Sequence, residues 1–349
     1  MKSKVVVAES NRKAYRVNGG KILLFGDLHL SSSFSGKHKN YLYECYETME
    51  KIQNIVSEEK PHAVFFAGDL IGVNERNLKD RQFLMRVVLF FSSLYNITKG
   101  NVYAVRGNHD IGDFSDFDFL VGLGYIKTPQ YVDYFVNGNK ELRFHFVNYG
   151  EENMPLHTED TEFDHVVIGH ADYYIEGETN WYGGSKSDRL EVKSLRNFNN
   201  VSFIFSGHIH LPSKDVIFSN LPNGEQIGVF YMGSVTRVAE EYDACWYITF
   251  RYDEELESST YDANLIPLTP YKDIYFDNKE LINSEEDEES EEEQEKRTEA
   301  LKEIIGEIFS SKLATGDLFS QIDRLPAARE HCKELAKSYL RLAIDGGGK

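Results

Sequence analysis

The sequence contains little of what secreted or membrane-spanning proteins depend on. Its three cysteines, Cys45, Cys245 and Cys332, are far apart and odd in number, so they indicate no disulfide framework and fit a reducing setting. No run of eighteen or more apolar residues occurs, which excludes a membrane-spanning helix. Residues 1–18 carry only the apolar patch 5–7, which is too short for the centre of a signal peptide. We therefore expect a cytoplasmic protein without membrane attachment.

Basic residues are scarce relative to acidic ones. The chain has 38 Lys and Arg against 57 Asp and Glu, which gives a formal net charge of −19. Part of this charge is local, because nine of the eleven residues 285–295 are acidic. Nucleic-acid backbones are held mainly by cationic side chains that displace counterions. A chain of this charge is therefore not expected to grip such a backbone strongly by itself.

Apolar and aromatic residues are plentiful, at 41% and 13% of the 349 residues, so a large core is easily filled. The β-prone segments 21–25, 63–67 and 102–105 alternate with apolar residues at helical spacing in 42–56 and 83–94. This order predicts a largely parallel sheet with covering helices. Later strand-like runs with little helix between them predict a second sheet packed on the first; they are 143–147, 166–168, 201–205, 216–218, 228–231 and 246–250.

The remaining third of the chain divides by composition. After a catalytic body at 1–255, the weakly patterned residues 256–283 are interpreted as a small cap or a connecting segment. Residues 284–296 form the acidic linker, which we expect to be solvated. Residues 297–345 carry two apolar stripes at helical spacing, which predict a helical tail. These stripes either bind a partner or pack on the catalytic body.

Five short polar motifs fall where predicted strands end. They are Gly26-Asp27-Leu28-His29, Gly68-Asp69, Gly107-Asn108-His109-Asp110, Gly169-His170 and Gly207-His208-Ile209-His210. Strand ends are where open α/β sheets collect their ligands. Residues two apart, such as Asp27 and His29, project from one face of an extended chain and can converge on one metal ion. Nitrogen and oxygen donors without sulfur favour Mn²⁺, Fe or Zn²⁺ over Mg²⁺ alone.

The five motifs, in this order between residues 21 and 250, resemble those of the calcineurin-like metallophosphoesterases. The resemblance implies an α/β fold, a four-layer αββα sandwich with a C-terminal helical tail, and two divalent metal ions at one end of the sheets. The implied ligands are Asp27, His29 and His210 for one ion, Asn108, His170 and His208 for the other, and Asp69 as the bridge between them.

The same resemblance implies that His109 stabilises the transition state or protonates the leaving oxygen. Asp110 either orients His109 or is a turn or helix-cap aspartate. Serine/threonine protein phosphatases usually continue the second motif as Asp-Arg-Gly, whereas Asp69 is followed here by Leu70. That subclass is therefore disfavoured.

Within the superfamily, the sequence is most similar to the nuclease subunit of SbcCD-type (Mre–Rad) DNA repair and recombination complexes, including bacteriophage versions. The motif at 207–210 is followed by Leu211-Pro212 and then by Tyr-Met-Gly-Ser at 231–234. This similarity implies manganese-dependent exonuclease and endonuclease activity on DNA. It also implies a homodimer through residues 41–59 and 81–95, and an SMC-like coiled-coil ATPase bound by the C-terminal helices.

Other interpretations remain open. The nuclease family often has a polar residue three positions after the bridging aspartate, where this chain has Gly72. Trp181 and Tyr182 either stack on a base or ribose or anchor a surface loop. One rival is a phosphomonoesterase or cyclic nucleotide phosphodiesterase that uses the same metals. The other is a non-enzymatic scaffold, against which the complete ligand set argues.

Overall fold

The computed structural model describes residues 13–270 except 33–40, 73–79, 112–114, 153, 175–188, 196, 214, 222 and 238–243. Its strands are β1 (Ala14–Asn18), β2 (Lys21–Phe25), β3 (Ala63–Phe66), β4 (Val102–Ala104), β5 (Tyr131–Val136), β6 (Asn139–Val147), β7 (Asp164–His170), β8 (Asp172–Tyr174), β9 (Arg189–Glu191), β10 (Val201–Gly207), β11 (Ile217–Asn220), β12 (Gln226–Tyr231), β13 (Ala244–Asp253) and β14 (Ser258–Pro267). The helices are α1 (Tyr41–Glu59), α2 (Arg81–Ile97), α3 (Asp116–Gly122) and a 3-10 helix at Val192–Ser194.

The five-stranded sheet has the order β14-β13-β2-β3-β4, and its strands β2, β3 and β4 are parallel. They alternate with α1 and α2 along the chain, so the predicted β-α-β-α-β order is confirmed. Alternate residues of β2 point to opposite faces. Leu23 and Phe25 join the core cluster that α1, α2 and α3 cover, whereas Ile22 and Leu24 belong to a second core.

That second core lies between the five-stranded sheet and a seven-stranded sheet of order β1-β5-β6-β7-β10-β12-β11. Aromatic rings from the two sheets interlock there. The Phe65 ring lies 5.0 Å from that of Phe144 and 5.1 Å from that of Phe146, both in edge-to-face contact. The predicted two-sheet sandwich is therefore confirmed.

The outer face of the seven-stranded sheet has a thinner cover than the outer face of its partner. Tyr173, Val192, Leu195 and Phe198 form a third buried cluster with this face. They belong to β8, the 3-10 helix and its flanking loop. In the part of the chain that the structure describes, the fourth layer of the sandwich is built from these short elements, while the α-helices cover the other sheet.

Residues 256–270, which the sequence assigned to a cap or connecting segment, contain β14. This strand pairs antiparallel with β13 along its whole length, from Asp253↔Ser258 to Ala244↔Pro267. It is therefore the edge strand of the five-stranded sheet. The acidic linker 284–296 and the helical tail 297–345 lie outside the described residues, so the domain division there stays a prediction. None of the described helices has the length and apolar character to cross a membrane.

The topology brings five strand ends to one edge of the sandwich. Strands β2, β3 and β4 are parallel in one sheet, as are β7 and β10 in the other. The two sheets are joined at this edge, where Asp27 bridges to Ser234 and the Asp27 N–H donates to the Gly233 carbonyl at 3.3 Å. Each predicted motif completes one of the five strands or begins within three residues of its end.

Candidate metal centre

The backbone at this edge is strained at three predicted ligand positions. His29, Asp69 and His208 have φ values of +45°, +44° and +76°. Non-glycine residues seldom adopt this left-handed conformation, and it persists only where the surrounding structure imposes it. Such residues cluster at functional sites, because the local cost is accepted for the placement of a side chain.

Two motif glycines are needed for close approach. A Cβ atom at Gly107 would collide with the carboxylate of Asp69, and one at Gly207 would collide with that of Asp27. Only glycine leaves room for these carboxylates beside the neighbouring loops. Glycine therefore precedes the metal-type residues for a steric reason.

Asp27, His29 and His210 form the first cluster. The Nε2 atoms of His29 and His210 are 3.0 Å apart, and His29 Nε2 lies 3.9 Å from Asp27 Oδ2. His29 Nδ1 donates to the Gly72 carbonyl at 3.0 Å, which fixes the tautomer and leaves Nε2 with its lone pair. These three side chains can hold one metal ion.

Asn108, His170 and His208 form the second cluster. Asn108 Oδ1 lies 3.0 Å from His170 Nε2 and 3.0 Å from His208 Nδ1. His170 Nδ1 donates to the Ala67 carbonyl at 2.8 Å, so its Nε2 also turns toward the centre. The cluster therefore has one amide oxygen and two imidazole nitrogens.

Asp69 lies between the two clusters. Its Oδ2 is 3.6 Å from His29 Nε2 in the first cluster and 3.2 Å from His170 Nε2 in the second. Its Oδ1 accepts the backbone N–H of His109 at 2.9 Å. The structure thus brings all seven predicted ligands together, with Asp69 in the position that the bridging role requires. Their assignment as ligands stays a prediction.

Two carboxylate oxygens in this centre show that the residues fit metal ions. Asp27 Oδ1 and Asp69 Oδ2 are buried, and neither has a hydrogen-bond partner in the described part of the chain. A buried acceptor without a partner is costly, and native structures retain one for a reason such as an ion. The donors are oxygens and imidazole nitrogens, which suit a divalent transition metal.

The electrostatics of three histidines favour the same conclusion. Burial lowers the pKa of His29 and of His208 to about 4, and that of His210 to about 3. These side chains are therefore neutral near pH 7, which is the form that binds a metal ion.

The acidic groups hold a strong negative potential at the centre. Burial alone would lower the pKa of His170, but the carboxylates of Asp69 and Asp27 outweigh it and raise that pKa to about 10. Burial raises the pKa of Asp27 well above its usual range. Burial would raise the pKa of Asp69, but His170 and the other imidazoles lower it by more. The pKa of Asp69 therefore falls well below its usual range. The potential that protonates His170 is also suited to attract a cation.

The Asp110 carboxylate is buried and fully engaged by backbone. It accepts the N–H of Gly107 at 3.0 Å, of Leu70 at 3.2 Å and of Ile71 at 3.3 Å. Burial raises its pKa to about 7, with repulsion from Asp69 adding to the effect. Asp110 therefore ties together the loops that carry Asp69 and Asn108, which corresponds to the turn-aspartate role among the two that the sequence left open.

His109 lies at the rim of the first cluster. Its ring meets that of His29 edge to face, with centroids 5.1 Å apart. The ligand atoms of His29, Asp69 and His109 are close enough to hold a metal ion as well, an arrangement that the motifs did not predict. Trp181 and Tyr182 lie outside the described residues, so their role as a substrate loop stays a prediction.

Sequence reasoning missed the groups that orient the ligands. The carbonyls of Ala67 and Gly72 fix His170 and His29. The hydroxyls of Tyr41 and Thr236 hold residues 27–29, which we call the first metal loop. The carbonyls are main-chain atoms and leave no signal in residue identity. Only the Gly-Ser pair at 233–234, which the nuclease resemblance included, pointed to the segment near Thr236.

The family model for calcineurin-like phosphoesterases matches residues 20–212. Similar solved structures include Yfce, a phosphoesterase from E. coli, at 13% identity, covering 71% of this chain and 100% of that chain with a TM-score of 0.33. A metallophosphoesterase from Sphaerobacter thermophilus is 14% identical, with 70% and 88% covered and a TM-score of 0.31.

A conserved uncharacterized protein from Streptococcus pneumoniae TIGR4 is 13% identical, with 71% and 89% covered and a TM-score of 0.30. No curated protein matches the sequence. The family match covers more than half of the chain and includes all five motifs, the last of them at residues 207–210. The chain therefore belongs to the calcineurin-like phosphoesterase family.

Proposed function

We propose that the chain is a metal-dependent DNA nuclease, with exonuclease and endonuclease activity, that acts as the nuclease subunit of an SbcCD-like recombination and repair complex. The observation that carries the chemistry is a pair of buried oxygens, Asp27 Oδ1 and Asp69 Oδ2, which accept no hydrogen bond in the described part of the chain. Around them converge four imidazoles and one amide oxygen, from His29, His210, His170, His208 and Asn108. This arrangement fits two divalent ions, with Mn²⁺ preferred and Fe or Zn²⁺ as alternatives.

When bound, two such ions lower the pKa of a water molecule and offset charge on the phosphoryl oxygens. The chain's own residues orient and retain that centre. Asp69 faces both clusters and is fixed by the His109 N–H. The His109 ring lies beside that of His29 at the rim, and we assign it the proton transfer to the departing sugar oxygen.

Preference for DNA is supported by the segment 231–234, whose sequence is typical of the nuclease family. This segment lies against the first metal loop, where the Gly233 carbonyl accepts the Asp27 N–H and the Ser234 hydroxyl donates to the Asp27 carbonyl at 3.3 Å. The nuclease-like segment is thus part of the metal centre's support. A small-molecule phosphoesterase with the same ligands is the competing proposal.

We further propose that the chain forms a homodimer and binds an ATPase partner. Outer positions of α1 and α2 carry exposed aromatic residues, with Tyr43 51% and Tyr95 36% accessible, and these helices are the ones expected in a homodimer. The net charge of −19 means that DNA binding needs basic surface from elsewhere. We assign that surface to the SMC-like ATPase, bound through the C-terminal helices.

The test is Mn²⁺-dependent hydrolysis of end-labelled duplex and single-stranded DNA beside p-nitrophenyl phosphate esters, with wild type and His109→Ala. DNA cleavage by wild type that the variant loses supports the nuclease proposal. Hydrolysis of only the small esters, both alone and with the ATPase present, would transfer the assignment to a small-substrate phosphoesterase. Tight duplex binding by the isolated chain at physiological salt would contradict the assigned role of the ATPase.

A further inference from the structure

A layer of buried hydroxyl groups holds the first metal loop from behind. The Thr236 hydroxyl donates to the Leu28 carbonyl at 2.8 Å, and the Tyr41 hydroxyl donates to the His29 carbonyl at 2.8 Å. The two hydroxyl oxygens are 3.0 Å apart. Both side chains are buried, at 3% accessibility for Tyr41 and 0% for Thr236.

The Asp27 end of the loop is fixed in the same way. The Val235 N–H donates to the Asp27 carbonyl at 2.7 Å, which adds to the contact from Ser234. Three successive carbonyls, from Asp27 to His29, are therefore held by α1 and by the segment 234–236. These contacts are made with main-chain carbonyls and not with the metal-facing side-chain atoms, so they act on the centre through the conformation of the loop.

A buried ion pair fixes the backing segment to α1. Glu44 and Arg237 both have zero accessibility, and their side chains meet at 2.7 Å and 3.1 Å. The Arg237 backbone N–H also donates to Glu44 at 3.1 Å. Because Glu44 lies one helical turn after Tyr41, a single face of α1 fixes both the loop and the segment behind it.

We propose that Tyr41 and Thr236 are positioning residues for metal binding, and that the Glu44–Arg237 pair fixes them in place. The reason is the strained backbone of His29, whose φ of +45° needs external support. Loss of either hydroxyl lets the loop relax toward ordinary φ values and moves the His29 ring away from Asp69 and His210. The inference depends on the assignment of Asp27 and His29 as ligands, and it is independent of the preference for DNA.

The experiment is calorimetric titration of Mn²⁺ into the metal-stripped full-length chain, with thermal unfolding of the metal-free protein alongside. The variants are Thr236→Val and Tyr41→Phe, which remove one hydroxyl each, and Thr236→Ser, which retains it. The matched control is Thr98→Val, because Thr98 is buried and donates to the Leu94 carbonyl at the same 2.8 Å but lies at the end of α2.

We expect Thr236→Val and Tyr41→Phe to weaken Mn²⁺ binding by about tenfold or more, as is usual for partners that orient a metal ligand. Thr236→Ser, which retains the hydroxyl, should bind Mn²⁺ with an affinity close to that of wild type. Thr98→Val should leave the affinity unchanged. If both hydroxyl-deleted variants bound Mn²⁺ with wild-type affinity, the inference would be overturned. An affinity loss in Thr98→Val equal to theirs would also overturn it. Either result would leave the metal-dependent function standing. Absence of Mn²⁺ binding by wild type would overturn it together with the metal-dependent function.

Discussion

The Asp27 carboxylate is fully buried, and one of its oxygens lacks a donor in the described structure. Burial raises its pKa well above the usual range, so the ionised form is unfavourable in the metal-free protein. Asp27→Asn keeps an oxygen for the His208 N–H, which donates to it at 2.9 Å, while removing the charge.

We therefore expect metal-free Asp27→Asn to unfold at the wild-type temperature or above it, whereas stabilisation by added Mn²⁺ is largely lost. Thermal unfolding with and without Mn²⁺ measures both quantities. Strong destabilisation of the metal-free variant, or Mn²⁺ stabilisation equal to that of wild type, would show that the carboxylate does not hold an ion.

His109 contacts Asp69 through its backbone, because the His109 N–H donates to the Asp69 carboxylate. This hydrogen bond therefore survives replacement of the His109 side chain. We expect His109→Ala to lower the turnover rate by about 10²–10⁴-fold, as for loss of a general acid. Mn²⁺ affinity should stay within about twofold of wild type. Loss of a group that orients a metal ligand would instead weaken the affinity by about 10–100-fold. Parallel loss of affinity and rate would instead make His109 a ligand.

The sequence predicted which side chains converge at this edge, and it did not predict the groups that support them; the ligand roles stay a prediction. All seven metal-type residues converge because glycine-flanked motifs at the ends of parallel strands must meet at one edge. The left-handed φ of Asp69 or His208 was not predictable, because non-glycine residues rarely adopt it. The Gly72 and Ala67 carbonyls were equally hidden, since a main-chain acceptor has no residue signature.

Among the elements, α1 is joined to the segment behind the metal centre by the buried pair of Glu44 and Arg237. Removing one partner leaves an uncompensated buried charge. Arg237→Met should therefore lower the free energy of unfolding by about 3–5 kcal/mol. The double variant Glu44→Leu with Arg237→Met should recover much of that loss. Denaturant unfolding of the three proteins measures this, and an additive loss in the double variant would argue against a coupled pair.

Strands β6 and β7 carry a second buried histidine pair, away from the metal centre. His145 Nε2 lies 3.0 Å from His165 Nδ1, and His165 Nε2 donates to the Asp160 carbonyl at 3.0 Å. Burial lowers the pKa of His145 well below its usual range, with His165 and Arg143 adding to the effect. Burial also lowers the pKa of His165. Both imidazoles are therefore neutral in the folded chain.

The unfolded chain binds these protons near pH 6.5 and the folded chain does not, so stability is present above that pH and is lost as the pH falls. For His145 the loss begins near the unfolded pKa of about 6.5 and grows as the pH falls from 7 to 5. His145→Gln should remove that share of the pH dependence in the metal-free protein. Chemical denaturation at both pH values is the measurement, and an unchanged difference would mean that His145 is protonated in the folded state.

Elements with regular periodicity were predictable, and irregular ones were not. The apolar spacing at 42–56 and 83–94 matches α1 and α2 because each buries one continuous stripe against the sheet. In β14, by contrast, Ile266 is the one buried residue. No alternation separates this strand from a loop, and its pairing with β13 is a tertiary effect that the local sequence does not encode.

At the scale of the whole molecule, composition predicted a large core and an acidic surface, and motif order predicted the two-sheet sandwich. The thinner fourth layer was not predictable, because the residues that cover the seven-stranded sheet come from short segments such as 192–198 rather than from a periodic helix. Substrate and partner preferences depend on surfaces beyond the metal ligands, which is why they remain proposals.

The proposed chemistry requires one chain to hold two metal ions around Asp69. Its most direct test is the metal content of the full-length protein after reconstitution with Mn²⁺ and removal of free ions, for wild type and Asp69→Asn. We predict about two ions per wild-type chain, as a two-metal phosphoesterase requires, and at most about one in the variant. One ion or none in wild type, or equal content in the two proteins, would contradict the account.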